Sequence, residues 1–475
     1  MGFLVWISVR IETFKADGAI GVIMSKDQNH RDLSLRILNR LSNNPAFSNQ
    51  ILKTYLDRCN LRDKDRAFVV NIIQGVIRWK LRLDWIIQQF LRFPFKKLDP
   101  DVLNILRIAI YQLYFMDRVP DFAIVNEAVR QAKRRGRHIA STVNGILRNI
   151  CRNKNNISFP DRKKELVKFF SVYYSYPEWL VKKWLRELGY EQTEKLLEAG
   201  NRTPYLTIRV NTLKTDREKL IELLVQEGVK EVYPTKYSPV GIIIKGLQRP
   251  VTQLRAYKKG LFFVQDEASQ LCAYILNPMP NDTILDVCAG LGTKSVHMAE
   301  LIKKNGKIIA LDIDPKRLLI LAQTLRREGL EDFIYPVVGD GRKVFSIFKS
   351  HFDKILVDAP CSGLGTIMRH PDIKWVKTEQ DIKMLSMIQK MLLYASAKIL
   401  KKGGIMLYTT CTISKEENEM IVEEFLEDHP EIRQLNISSI CTWLKDLEDK
   451  CGFFRTYPHI HKMDGFFGAV FCRII

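Results

Sequence analysis

Apolar residues recur at helical spacing through the first third of the chain. Between residues 30 and 150 they fall three or four positions apart, which places them on one face of each helix. The repeats are Leu33, Ile37, Leu38 and Leu41; Val69, Ile73, Val76 and Ile77; and Leu103, Leu106, Ile110 and Leu113. This spacing predicts an all-helical bundle, which we place at residues 24–155. Residues 1–23 do not share it, so we interpret them as an N-terminal extension and take Met24 as an alternative start.

A different pattern begins near residue 281. Short, continuously apolar runs alternate with amphipathic segments of helix length, in the order "TILDVCAG", "KIIALDID", "FIYPVVGD", "KILVDAP" and "GGIMLYTTC". Such runs are typical of parallel strands that are covered by helices on both faces. Residues 261–475 are therefore predicted to form a doubly wound, Rossmann-like α/β domain with strand order 3-2-1-4-5.

A smaller α/β module is predicted between these regions, at residues 156–260. Connecting helices in "YPEWLVKKWLRELG" lead to a strand, a turn and an amphipathic helix in "YLTIRVNTLKTDREKLIELLVQEGV", and then to short strands in "GIIIKG" and "GLFFVQD". Arg209, Asn211 and Lys214 lie at the end of the first of these strands, and we interpret them as RNA contacts. Ordinary turn chemistry explains Asn211 nearly as well.

Positive charge is concentrated in the helical region. The chain has 74 Lys or Arg against 53 Asp or Glu, a net charge of +21. Residues 24–155 alone hold 25 against 11, a surplus of 14, and they include the run "KRRGR" at 133–137 with aromatic residues interleaved. This distribution favours a polyanionic partner, nucleic acid before membrane, over a surface that is merely solvated.

The nine cysteines are scattered along the chain. They form no CxxC pair and no Cys/His cluster at zinc spacing, which argues against a disulfide framework or a structural metal site. No apolar run reaches the roughly 18 residues of a membrane helix, and the N-terminal segment lacks the features of a signal peptide. We expect a cytoplasmic monomer with reduced thiols, no metal and no membrane contact.

Acidic residues end three consecutive predicted strands. Asp286 precedes the small-residue loop "CAGLGT", and Asp312 and Asp340 end the next two strands. Small residues let the backbone approach a ligand, and an acid after the second strand can bind both ribose hydroxyls. A single such Asp could merely cap a helix, but the three together predict an adenosine-containing cofactor. Lys294 follows a loop that is not GxGxxG, which favours a cofactor that bears a carboxylate, S-adenosylmethionine, over NAD.

Two cysteines end neighbouring predicted strands. The fourth and fifth strands of this order lie about 4.8 Å apart, so Cys361 and Cys411 should face one cleft, with Asp358 on the same strand end as Cys361. A thiol beside a methyl donor suits methylation at carbon 5 of a pyrimidine, because thiolate addition to carbon 6 makes carbon 5 nucleophilic. Asp358 would then hydrogen-bond ring nitrogen N3, and Lys294 would favour the thiolate.

Three stretches resemble one protein family. "DAPCSGLGTIMRHPDIKW" and "YTTCTISKEENE" resemble the two cysteine motifs of the RsmB (Fmu/Sun) family of bacterial ribosomal RNA (cytosine-5) methyltransferases, and "DGFFGAVFCRI" resembles its last strand. "FMDRVPDFAIVNEAVRQAKRRG" and "STVNGILRNI" resemble the end of the NusB-like RNA-binding domain, in which Asn144 and Gly145 would open the closing helix. The resemblance spans residues 25–475 or so and implies a NusB-like bundle before a class I methyltransferase domain.

The resemblance implies roles for individual residues. Cys411 of the TC motif would be the nucleophile, and Cys361 of the PC motif would assist breakdown of the adduct. S-adenosylmethionine would be bound by Cys288, Ala289, Gly290, Leu291, Gly292, Thr293, Lys294, Asp312, Asp340 and Asp358. The family loop usually reads CAxPGGKT, so Leu291 and Thr293 depart from it and predict a loop that is less constrained or differently bent.

The implied reaction is methyl transfer to carbon 5 of a cytosine in small-subunit (16S) ribosomal RNA, whether naked or in an assembling subunit. Two alternatives stay open: a non-catalytic RNA-binding or ribosome assembly factor that kept the fold, and a cytosine-5 methyltransferase that acts on another RNA. A DNA cytosine methyltransferase is disfavoured, because those enzymes attack with the PC cysteine.

Overall fold

The structure is a computed structural model, and it describes residues 29–43, 48–59, 61–117, 119–247 and 249–474. The extension at residues 1–23 and the alternative start at Met24 lie outside the described residues. Among the helices described, none combines the length and the apolar character needed to cross a membrane.

The N-terminal domain is a bundle of helices, as the apolar spacing predicts. Its helices share one core, in which Leu33, Ile73 and Leu106 are fully buried. One detail of the prediction is wrong: Asn144 and Gly145 lie in the middle of the last helix, because the chain turns earlier, at Gly136 (φ 122°). The helices are α1 (His30–Asn43), α2 (Ser48–Asp57), α3 (Asp63–Arg78), α4 (Lys80–Gln89), α5 (Pro100–Phe115), α6 (Asp121–Lys133) and α7 (Arg137–Arg152).

Two connecting helices lead into a four-stranded antiparallel sheet of order β2-β3-β1-β4. The second connecting helix is broken at Gly189, whose φ is 76°. The predicted strand, turn and helix are all found, and β2 is an additional strand. The elements are α8 (Leu166–Tyr174), α9 (Glu178–Ala199), β1 (Leu206–Val210), α10 (Arg217–Gln226), β2 (Glu231–Pro234), β3 (Gly241–Lys245), α11 (Arg255–Lys258) and β4 (Phe262–Val264).

The C-terminal domain is a doubly wound sheet of order β10-β12-β9-β8-β5-β6-β7, with β11 beside β12. Strands β5 to β9 run parallel in the predicted order 3-2-1-4-5, and β10, β11 and β12 add an antiparallel edge. The elements are α12 (Glu267–Leu276), β5 (Thr283–Val287), α13 (Thr293–Leu301), β6 (Lys307–Asp312), α14 (Pro315–Glu328), β7 (Ile334–Val338), α15 (Val344–Ile347), β8 (Phe352–Asp358), α16 (Ile373–Val376), α17 (Glu379–Ala397), β9 (Leu400–Thr410), α18 (Glu419–Asp428), β10 (Ile432–Leu435), α19 (Ile437–Ile440), β11 (Phe454–Arg455), α20 (Pro458–His461) and β12 (Phe467–Arg473).

A buried lysine joins the C-terminal domain to the rest of the chain. Lys374 in α16 is 1% exposed. Its ammonium donates hydrogen bonds to oxygens of Arg78, Ser175 and Asn201, at 3.2, 3.1 and 2.6 Å. Because these partners are neutral oxygens, burial lowers the pKa of Lys374 well below its ordinary value. The loop that follows β8 is thereby fastened to the helical bundle and to the connecting helices.

We expect Lys374→Met to destabilise the protein by about 3 kcal/mol or more, because each buried acceptor left without a partner costs roughly 1–3 kcal/mol. Urea unfolding followed by tryptophan fluorescence measures the change. Lys383→Met, at an exposed position of α17, is the matched control and should unfold at the wild-type midpoint. Equal midpoints for the two variants would show that Lys374 does not stabilise the docking of the domains.

Candidate active site

The pairing of β8 with β9 brings the two cysteines together. Asp358 is in register with Thr409, and the backbone N–H of Ala359 donates to the carbonyl of Thr409 at 3.0 Å. Beyond this last pair the strands give way to loops, and the sulfur atoms of Cys361 and Cys411 lie 3.1 Å apart. The prediction that the strand order brings the two thiols together is confirmed.

A lysine and an aspartate lie at the same edge of the sheet. Lys294, in the first turn of α13, is 8% exposed, and its Nζ lies 2.6 Å from Oδ2 of Asp358. Burial alone would lower the pKa of Lys294, but the charge of Asp358 more than offsets it and the pKa is raised. The lysine is therefore a stable cation that holds the carboxylate in position.

The surroundings of Cys361 oppose its ionisation. The pKa of Cys361 is raised well above its ordinary value by the contact with Cys411, by burial and by the nearby carboxylate of Glu417. These surroundings favour the neutral form of the Cys361 thiol. A neutral thiol can donate a proton but is a poor nucleophile.

A buried carboxylate ties the two cysteine loops together. Glu417 is fully buried, and it accepts hydrogen bonds from the backbone N–H of Ser362 (2.7 Å), from the Ser362 hydroxyl and from the Thr412 hydroxyl (3.2 Å). Ser362 follows Cys361 and Thr412 follows Cys411 in the chain. One side chain thus fixes the spacing of both loops, and a further donor from α17 completes its contacts.

Sequence reasoning missed Glu417. It lies in the charged run "SKEENE", which has the composition of a solvated helix start. Its neighbour Glu416 fits that interpretation better, because it is about one-third exposed and pairs with Lys183 of α9. The only signal in the sequence is that the run begins three residues after Cys411, within reach of the strand end.

The predicted cofactor loop turns sharply between β5 and α13. Cys288, Gly290 and Gly292 all have positive φ, at 68°, 60° and 74°. The N–H of Gly290 donates to Oδ2 of Asp312 at 2.7 Å, and a Cβ on Gly292 would lie only 2.2 Å from a methyl group of Leu321. The loop is therefore well held, although Leu291 and Thr293 depart from the family pattern.

The other residues of the predicted cofactor site lie along the same edge. Ala289 and Leu291 are in the loop, Leu291 is half exposed, and Thr293 begins α13. Asp340 follows β7, and its ion pair with Arg342 lowers its pKa. These positions agree with the sequence prediction, while the contacts to a ligand stay a prediction.

Asp286 is a buried acceptor with a free oxygen. Oδ2 accepts from the hydroxyl of Ser295, but Oδ1 has no partner in the described part of the chain. Burial raises the pKa of Asp286 to about 7. A buried polar atom without a partner is costly. A donor group of a ligand at the sheet edge would remove that cost by pairing with this oxygen.

Two of the three predicted RNA contacts are buried, and the third is partly exposed. Arg209 and Asn211 are 0% and 1% exposed. Arg209 forms an ion pair with Glu300 of α13, and Asn211 donates to Glu328 at the end of α14, at 3.0 Å. The RNA assignment of these two residues is wrong, because β1 lies inside its sheet and its end faces the C-terminal domain. They join the two domains instead.

Lys214 also pairs with Glu328, but its side chain remains 28% exposed. It stays a predicted RNA contact. In the described part of the chain, no group of His, Cys, Asp and Glu side chains has the arrangement of a metal site.

Family models match three stretches of the chain. Residues 28–152 match the NusB family, and residues 176–252 match the ferredoxin-like domain of RsmF/B-like methyltransferases. Residues 273–472 match the 16S rRNA methyltransferase RsmB/F. The helical bundle, the small module and the doubly wound domain each correspond to one of these models.

Individual proteins match over nearly the whole chain. A Bacillus subtilis protein named "Probable ribosomal RNA small subunit methyltransferase B" is 35% identical over 446 residues, which cover 92% of this chain and 97% of the relative. A Synechocystis protein of the same name is 34% identical and covers 92% and 98%. The crystal structure of PH0851 is 29% identical, has a TM-score of 0.77 and covers 94% and 99%.

The matched part of this chain includes the bundle, the small module and the sheet that carries Cys361 and Cys411. The chain therefore belongs to the RsmB/F family of 16S rRNA methyltransferases.

Proposed function

We propose that the protein methylates carbon 5 of a cytosine in small-subunit ribosomal RNA through a covalent bond between Cys411 and carbon 6 of the base. The main support is the pair of sulfur atoms 3.1 Å apart at the ends of β8 and β9, beside the ion pair of Lys294 and Asp358. A binding factor without catalysis has no need of two thiols at this position.

The cofactor of this methyltransferase is S-adenosylmethionine, which supplies an electrophilic methyl group when it is bound. The residues at the sheet edge fit such a ligand. Asp312 has lone pairs left for ribose hydroxyls, since a carboxylate can accept about four hydrogen bonds. The free Oδ1 of Asp286 suits a cationic or hydroxyl donor. The left-handed turn at Gly290, where an added Cβ would meet no atom of the protein within 4 Å, leaves room for a ligand to approach the backbone.

The chain's own groups account for activation of the base. Cys411, as thiolate, forms a bond to carbon 6, and negative charge develops toward N3 of the ring. Asp358 is held by the Lys294 ammonium and is placed to pass a proton from that ammonium to N3 as the charge appears. Carbon 5 then becomes the nucleophilic atom of the ring.

Cys361 acts after methylation. Its raised pKa favours the neutral thiol, and we assign the attack to Cys411 because it is the cysteine of the TC motif, as the family resemblance implies. Water takes the carbon 5 proton, the double bond between carbons 5 and 6 re-forms, and the bond between carbon 6 and Cys411 breaks with its electron pair on the Cys411 sulfur. The neutral Cys361 thiol, 3.1 Å away, can donate a hydrogen bond to that departing sulfur. The aromatic ring and the free enzyme are thereby restored.

With a labelled methyl donor, the wild-type protein should methylate small-subunit ribosomal RNA and not DNA. Cys411→Ala should abolish transfer, because it removes the thiol assigned to attack carbon 6, and should leave cofactor affinity nearly unchanged. Counting labelled RNA and titrating the cofactor test both points. If Cys411→Ala retained activity and Cys361→Ala lost it, attack would belong to Cys361. Cofactor and RNA binding without any transfer would favour the assembly-factor alternative.

Cys361→Ala should form the adduct but fail to break it, because elimination comes after methyl transfer. A slow band that carries protein, RNA and labelled methyl should accumulate on a denaturing gel. It should be absent from the Cys361→Ala, Cys411→Ala double variant. Turnover close to wild type without that band would remove Cys361 from the reaction.

Glu417→Gln should lower turnover about tenfold or more, because an amide cannot accept both hydroxyl hydrogen bonds and the loss of one charge-assisted bond costs roughly 1.5–3 kcal/mol. The turnover number is measured together with the unfolding midpoint. Glu416→Gln changes the adjacent carboxylate and should stay near wild type. Equal turnover in the two variants would mean that Glu417 does not position the cysteine loops.

A further inference from the structure

A groove lies on the N-terminal helical domain, on elements other than those that carry Cys361 and Cys411. It encloses about 440 Å³ between the segment that follows α4 and one face of α7, within the range of roughly 300–1,000 Å³ that is usual for ligand pockets. The groove is lined by Phe90, Arg92, Phe93, His138, Thr142, Gly145, Ile146 and Asn149.

Gly145 forms part of its floor, in the middle of α7. Glycine destabilises a helix interior relative to alanine, so a packing reason is expected. The fold supplies none: a Cβ added to Gly145 would meet no atom within 4 Å, and its φ is not in the left-handed region. Bare backbone at this position lets a ligand approach the helix more closely than any side chain would allow.

Three arginines without acidic partners lie in the groove or at the ends of the helix that forms its wall. Arg92 lines it, Arg137 begins α7, and Arg152 lies seven residues after Gly145, on the same face of the helix. All three are exposed, and none forms an ion pair within the described residues. Arg134 contrasts with them, because it is paired with Asp32. These cations make the groove and the helix that forms its wall positively charged, which suits an anionic ligand.

An aromatic ring accompanies these cations. Phe93 is 36% exposed and lines the groove. Exposed aromatic rings beside arginines are the usual means by which proteins bind single-stranded nucleic acid, since bases stack on the rings while cations neutralise phosphates. Thr142 and Asn149 add hydrogen-bonding groups along the same wall.

We propose that this groove binds an unpaired nucleotide of the RNA substrate, with its base on Phe93 and its backbone over Gly145. Arg92, Arg137 and Arg152 contact the phosphates on either side. The inference rests on the proposed function in taking RNA as the substrate. It adds a binding site outside the nucleotide that is methylated.

The test uses the full chain and a transcript of small-subunit ribosomal RNA, with affinity measured by filter binding over a salt series. Gly145→Ala should raise the unfolding midpoint and yet weaken RNA binding, a combination that a purely structural glycine does not give. Gly145→Leu, which fills the groove, and Phe93→Ala should each weaken binding about tenfold. Arg137→Gln and Arg152→Gln should each reduce the slope of log affinity against log salt by about 0.7 to 0.9.

Two variants of the same domain serve as controls. Phe122→Ala removes another exposed ring, and Asn126→Leu adds a leucine to an exposed site of α6. Both should bind RNA as the wild type does. Wild-type affinity and slope in Gly145→Leu and Phe93→Ala would overturn the proposal. It would also be overturned if these variants bound the transcript normally and lost only the modification of ribosomal particles, since the groove would then hold a protein.

Binding is measured without methyl transfer, so the two proposals can fail separately. A wild-type chain that binds the transcript through this groove but does not methylate it would contradict the proposed function alone. A wild-type chain that methylates the RNA while the groove variants keep full affinity would contradict the groove alone.

Discussion

The parallel pairing of β8 with β9 is the constraint on which the candidate site depends. The hydrogen-bonded register ends at Asp358 and Thr409, so the loops that follow start at the same level of the sheet. Each loop carries one cysteine close to its beginning, and the thiols meet for that reason. A shift of one residue in this register would move one loop by about 3.3 Å and reverse the faces of the strand. The contacts of Glu417 with both loops add a second constraint on the same spacing.

Buried polar groups connect the domains to this site. Arg209 of the small module pairs with Glu300 on α13, the helix whose first turn carries Lys294. Lys374 fastens the loop after Cys361 to the helical bundle. Breaking a buried pair is costly because it leaves an uncompensated charge. The same buried contacts therefore hold the bundle, the small module and the active site in one arrangement.

For RNA binding, the distribution of charge within the helical bundle matters more than the net charge. Part of the positive surplus is neutralised locally: Arg107 pairs with Asp84, and Arg130 and Arg134 pair with Asp32. Other arginines have no such partner within the described residues, among them Arg92, which lines the groove, and Arg137 and Arg152 at the two ends of α7. Free cations beside an exposed ring and a bare stretch of helix form a surface that is suited to RNA, whereas the paired arginines stabilise the bundle.

The sequence by itself determined the three regions, the order of the parallel strands, the acids at the strand ends and the convergence of Cys361 with Cys411. These features follow from the periodicity of apolar residues and from topology, which are local properties or general rules. The family resemblance added the expected chemistry. Only the tertiary structure decided that Arg209 and Asn211 are buried domain contacts, that Glu417 is buried between the cysteine loops and that Gly145 lies on an open floor. Burial and pairing of polar side chains depend on residues distant in the chain, such as Glu300 for Arg209 and Ser362 for Glu417. A local sequence pattern cannot identify such partners.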